Sequence, residues 1–141
     1  MSTGDVPGRP DGAQFGPVLV VEDDAVVRRL ICRALQEDGL CVVPAANGQL
    51  AIEHARRHEP ALVVLDVTLP VLSSDAVAVG IRAILGDQVP ILVITADGHP
   101  AEKARVLRAF AYLQKPFDVD ELVGTVRRAL EASDATPPPR H

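Results

Sequence analysis

The residues of this chain that could do chemistry stand at the ends of apolar runs. In ALVVLDVTLP (61–70) an apolar stretch leads straight into Asp66. A run this long and Val-rich reads as a strand buried on both faces. Asp66 then falls at the rim of a parallel sheet, where α/β proteins bind ligands. VLVV (18–21) meets Glu22, Asp23 and Asp24 in the same way, ILVI (91–94) meets Thr95, and AYLQ (111–114) meets Lys115-Pro116. Together these put three or more carboxylates, a hydroxyl and an ammonium on one rim. Carboxylates so placed repel unless a cation or protons relieve them. The donors are oxygens, with no His or Cys, which favours a hard divalent ion. Mg²⁺ takes one or two carboxylates, keeps waters and shares its shell with a phosphate; Mn²⁺ could stand in its place. Lys115 can match the remaining phosphate charge, and Thr95 can donate its hydroxyl to the same group. The set suits phosphoryl transfer to a carboxylate, with Asp66 as acceptor.

The elements that must position these groups follow from periodicity and caps. Strands are expected at Val18–Val21, Cys41–Val43, from Ala61 to Asp66, at Ile91–Ile94 and from Ala111 to Leu113 or Gln114. Between them lie helical stripes. Val27, Leu30, Ile31, Ala34 and Leu35 mark the first helix, with Gly39 as a left-handed stop. Asn47 caps a second that runs to His58 before Pro60. The third carries Val77, Ile81, Ile84 and Leu85, is capped by Ser73, Ser74 or Asp75, and ends at Gly86. The fourth is expected over Ala101–Ala109 behind Pro100. The fifth follows Asp118 and Glu121, spaced as a capping box, and carries Val119, Leu122, Val123, Val126 and Leu130. Five βα units with short, right-handed connections give a parallel sheet with helices on both faces. Every strand-end group then lies along one edge of it.

Composition narrows the function. A length of 141 residues suits one domain. Residues 1–16 and 132–141 lack periodicity and read as disordered tails around a folded 17–131. No apolar run approaches a membrane span, and no h-region marks a secretory signal. A cytoplasmic protein is expected. Net charge is -5 and aromatic content 3%, so neither a basic nucleic-acid surface nor a base-stacking platform is expected. Cys32 and Cys41 read as small core residues. His54 and His58, at i and i+4, and the arginines Arg28, Arg29, Arg56, Arg57, Arg127 and Arg128 read as solvated helix faces.

VLVVEDD (18–24), LVVLDVTLP (62–70), ILVITAD (91–97) and AYLQKPF (111–117), in that order, resemble the receiver domain of bacterial two-component response regulators. The resemblance covers about residues 17–131. It implies a doubly wound, flavodoxin-like α/β fold with five parallel strands in the order 2-1-3-4-5. It implies that Asp66 accepts a phosphoryl group from the phosphohistidine of a sensor histidine kinase or phosphotransfer protein. Mg²⁺ would be held by the carboxylates of Asp23 and Asp66 and the backbone carbonyl of Thr68, with Glu22 acting through a metal-bound water. Thr95 and Lys115 would hold phosphoryl oxygens, and Lys115–Pro116 would be cis. Tyr112 would be the switch aromatic paired with Thr95. Thr68 and Asp97 would tune the lifetime of the phosphorylated state. The fourth helix, fifth strand and fifth helix would form the surface read by a downstream protein or by a second copy on phosphorylation. Such a module catalyses only its own phosphorylation and dephosphorylation.

The pattern departs from the family's habit at Ser74 and Arg108, both usual glycine positions, and at Phe110-Ala111, where an acidic pair is common. These changes touch the output surface more than the chemistry. Two other functions compete. A haloacid-dehalogenase-type phosphatase also uses an Asp after a strand, but wants a second Asp where Thr68 stands. A phosphorylation-independent interaction domain would need none of Asp23, Asp66, Thr95 or Lys115.

Overall fold

The central strands pack alternate residues against opposite helical layers. The structure, a computed structural model, describes residues 15–68, 74–96 and 98–135. Strands β1 (Val18–Val21), β2 (Val42–Ala45), β3 (Leu62–Asp66), β4 (Ile91–Thr95) and β5 (Ala111–Gln114) alternate with helices α1 (Ala25–Glu37), α2 (Gly48–His58), α3 (Ser74–Leu85), α4 (Pro100–Val106) and α5 (Val119–Ala135). The sheet order is β2-β1-β3-β4-β5 and its pairings are parallel, the doubly wound, flavodoxin-like arrangement expected. Leu19, Val21, Val63, Leu65, Ile91 and Val93 face α2 and α3. Val18, Val20, Leu62, Val64, Leu92 and Ile94 face α1 and α5. The central strands are buried on both sides, which is why they read as unbroken apolar runs.

Several helix boundaries rest on local signals. Asp24 Oδ1 accepts from Val26 N and Val27 N at 2.9 and 3.1 Å and starts α1. Asn47 Oδ1 accepts from Leu50 N at 2.9 Å and starts α2. Gly39 and Gly86 take positive φ, +87° and +96°, which glycine adopts without steric cost.

Elsewhere the boundaries move. β2 runs over Val42–Ala45 rather than Cys41–Val43, pairing Val20 with Pro44. Pro44 is tolerated because β2 is an edge strand with one side unpaired. Helix α4 stops at Val106, short of the expected Ala109. Arg108 turns left-handed at φ +54°, and Arg82 of α3 donates to Leu107 O and Arg108 O at 2.6 and 3.0 Å. Those captured carbonyls end the helix. Of the caps expected for α3, Ser73 lies outside the described residues, while Ser74 and Asp75 are already helical.

The folded body also reaches beyond 17–131. Phe15 is buried, and α5 continues to Ala135; the remaining tail residues, 1–14 and 136–141, lie outside the described residues. Arg127, read as a solvated arginine, lies over the Phe15 ring at 6.0 Å and donates from Nε to Asp38 Oδ2 at 2.7 Å and from Nη2 to Asp38 O at 2.8 Å. It ties the end of α1 to α5. Cys32 and Cys41 form no disulfide, and burial pushes the Cys32 thiol up. Among the described residues no helix is long and apolar enough to cross a membrane.

Candidate functional site

The C-terminal ends of β1 and β3 lie side by side, Val21 opposite Leu65. The next residues therefore share one rim. One carboxylate oxygen from each of Glu22, Asp23 and Asp66 lies within 4.8 Å of the others, and among the described residues this is the one such cluster of potential ligands. Glu22 and Asp66 are fully buried, while Asp23 is exposed. His54 and His58 stand with ring centroids 5.7 Å apart but belong to no such cluster.

Lys115 enters from the end of β5. Its Nζ lies 2.9 Å from Glu22 Oε1 and 3.3 Å from Asp66 Oδ2. Its backbone N–H donates to Thr95 O at 2.7 Å, and the Lys115–Pro116 bond is cis. The backbone N–H and hydroxyl of Thr68 both donate to Asp66 Oδ1, at 3.0 and 2.7 Å. Asp66 Oδ1 is thus committed to two donors, whereas Oδ2 has the longer contact to an ammonium.

The charges respond to this crowding. Burial pushes the Glu22 carboxyl up to about 7, aided by the carboxylate of Asp66 and opposed by Lys115 and the Asp24 N–H. Burial also pushes the Asp66 carboxyl up, but the two Thr68 bonds, Glu22 and Lys115 outweigh it, and Asp66 ends below the usual carboxylate range. Lys115 loses by burial and gains more from Glu22 and Asp66, so its ammonium is held above the ordinary range. The two carboxyls share a titration, with the proton favouring Glu22.

A hard divalent cation fits this nest. The donors are oxygens, the cluster carries more negative charge than one lysine offsets, and Glu22 Oε1 is buried without an aligned hydrogen bond despite the nearby ammonium. A water on a cation would supply that missing donor.

The remaining expected residues are placed as follows. Thr95 is fully buried at the end of β4, beside the Asp66 strand. Thr68 is at the rim. Tyr112 lies away from the cluster, on β5 opposite Val93, with 45% of its surface exposed. Asp97 lies outside the described residues. Arg28 belongs beside the site although its sequence context read as a solvated helix face. Its Nη1 donates to Glu22 O at 2.9 Å and approaches Asp23 O at 3.4 Å.

Comparison with known proteins agrees with this geometry. The family model of the response regulator receiver domain matches residues 18–127. Response regulator MprA of Mycobacterium leprae is 39% identical over 115 residues, 80% of this chain and 50% of the relative. Transcriptional regulatory protein PdtaR of Mycobacterium tuberculosis H37Rv is 35% identical over 123 residues, 85% of this chain and 59% of the relative. The chain thus spans about half to three-fifths of the length of these curated relatives. Among solved structures, chemotaxis protein CheY4 of Vibrio cholerae superposes with a TM-score of 0.75 at 28% identity, covering 82% of this chain and 98% of that one. A CheY-like receiver domain from Methanospirillum hungatei gives 0.78 at 18% identity, covering 85% and 97%; it shows likeness of fold alone. With five strands in this order, an acidic rim closed by a lysine and a family match over most of its length, the chain belongs to the response regulator receiver domains of two-component systems.

Proposed function

We propose that this receiver accepts a phosphoryl group on Asp66 from the phosphohistidine of a sensor histidine kinase or phosphotransfer protein, in the cytoplasm. The observation that carries the reading is the meeting of Glu22, Asp23 and Asp66 within 4.8 Å under the Lys115 ammonium. In the transfer an Asp66 oxygen attacks phosphorus, the O–P bond forms as the P–N bond breaks, the electron pair returns to the ring nitrogen, and the imidazole, already protonated on its other nitrogen, leaves neutral. Oδ2 is the oxygen better placed to attack, because Oδ1 is held by Thr68. The pKa of Asp66 lies below the usual range, so the nucleophile is ionised at neutral pH.

Asp23, Asp66 and the Thr68 carbonyl would hold Mg²⁺ directly, and Glu22 through a water. The ion, when bound, neutralises charge on the phosphoryl oxygens and aligns them for in-line displacement. Lys115 and Thr95 would bind the remaining oxygens, and Thr68 and Asp97 would set the lifetime of the phosphorylated state. Phosphorylation adds charge and acceptors at the rim. Thr95 would move toward them, and the Tyr112 ring would turn into the space it leaves, shifting the population of α4-β5-α5 surfaces. That surface already exposes Val106, Phe110 and Tyr112, apolar side chains available to a downstream protein or a second copy.

Incubation with acetyl phosphate or phosphoramidate tests the reading. Label that requires Mg²⁺ and vanishes in Asp66→Asn is expected. A wild-type chain that takes no label under these conditions would make it an interaction domain on the same fold.

A further inference from the structure

We propose that Arg28 is a positioning residue for the acidic rim: its guanidinium fixes the Glu22 and Asp23 carbonyls and so sets the directions in which those side chains meet a divalent cation. This rests on the functional reading above.

Arg28 lies in the opening turns of α1, where the helix dipole disfavours a cation. Its side chain turns back toward that end, the direction in which long helical side chains lean. Nη1 donates to Glu22 O at 2.9 Å and lies 3.4 Å from Asp23 O. These are consecutive carbonyls, so one guanidinium restrains the two peptide planes that follow the metal-site acids. The rest of the turn is tied into the same knot. Asp24 N donates to Glu22 Oε2 at 3.1 Å, Asp24 Oδ1 caps α1, and Arg28 N donates to Asp24 O at 2.8 Å. Glu22 is anchored further by Lys115. Asp23 is exposed, so its direction depends more heavily on the backbone that Arg28 holds. The adjacent Arg29 is exposed, and the contrast separates a positioned arginine from a solvated one.

Charge and position make opposite predictions. A fixed guanidinium repels a second cation, so on charge alone its removal tightens metal binding. If Arg28 instead shapes the turn, its removal weakens binding, as losing an outer partner of a metal ligand does.

The test is calorimetric titration of the full chain with Mg²⁺, comparing wild type with Arg28→Ala, Arg28→Gln and Arg28→Lys, with urea unfolding as a check that each is folded. Arg28→Ala is expected to weaken Mg²⁺ binding about 10-fold. Arg28→Gln, which keeps an N–H donor without charge, should recover part of the loss. Arg28→Lys, which keeps the charge without the planar fork, should recover less. Should Arg28→Ala not fold, Arg28→Gln carries the same sign test against wild type. Binding as tight as or tighter than wild type in the folded uncharged variants overturns the inference alone. A wild-type chain that takes up no Mg²⁺ overturns the functional reading, and this inference with it.

Discussion

Lys115 Nζ stands 2.9 Å from Glu22 Oε1, so an ammonium from the last strand closes over a fully buried carboxylate from the first. The same ammonium faces Asp66 Oδ2 at 3.3 Å. Replacing Lys115 by Met leaves two buried carboxyls facing each other. In metal-free buffer at neutral pH this should cost about 2–3 kcal/mol, at or below the lower end of the range for breaking a buried pair because the lysine head keeps some contact with water. Mg²⁺ should restore most of the loss. Urea unfolding with chelator and with Mg²⁺ reads both numbers; equal losses in the two conditions would contradict the prediction.

The pH dependence of the metal-free chain has a definite sign. The Glu22 carboxyl titrates at about 7 in the fold against an ordinary 4.5. Between those values the folded chain holds a proton that the unfolded chain has released, so this group makes stability fall as pH rises across that window. Asp66 acts oppositely: its depressed pKa contributes stability that is present above its ordinary 3.8 and lost as pH falls through the lowered value. Urea midpoints in chelator should therefore decline between about pH 5 and 7. Glu22→Gln should flatten that decline, and so should saturating Mg²⁺, which displaces the proton.

Arg108 adopts φ +54° without being glycine, and its charge adds to burial, the larger cause, in pushing the nearby Arg82 guanidinium down. Arg108→Gly relieves both. Against this stands the larger entropy of glycine in the unfolded chain, so the net gain should be about 0.5 kcal/mol. Equilibrium unfolding should show a stabilised variant; a loss would mean that the Arg108 side chain contributes packing.

Arg127→Ala should destabilise the fold by about 1–2 kcal/mol, mostly through the hydrogen bonds to Asp38 rather than the partly exposed ion pair. Asp38 follows α1 and Phe15 precedes β1, so this contact lies at the sheet edge opposite the carboxylates. Mg²⁺ affinity measured by calorimetry should stay at the wild-type value.

The strands and the acidic rim were legible because each rests on a local signal. A central strand buried on both faces writes itself as an unbroken apolar run, and the residue after it must stand at the edge. Asp66, Glu22, Asp23, Thr95 and Lys115 could be placed at strand ends without knowing a single long-range contact. The helix boundaries were legible where a side chain or glycine serves them locally, as Asn47, Gly39 and Gly86 do. What escaped depends on partners distant in sequence. The early end of α4 is set by Arg82, some 25 residues away from Leu107. Arg127 and Asp38 are 89 apart. Arg28 is a near miss: Glu22 is only six residues away, but the partner is a backbone carbonyl ahead of the helix, which no side-chain pattern marks. Glu59 ends α2 in the left-handed region at φ +48°, where Pro60 marked the stop without revealing the conformation.

The buried Phe15 bears on how this domain can be cut out or grafted. Its ring closes one end of the layer formed by α1 and α5 and meets the Arg127 guanidinium. A fragment begun at the first strand, where the family match also begins, would wet that seam and leave the cation–aromatic contact half empty. A transplantable unit starts no later than Phe15.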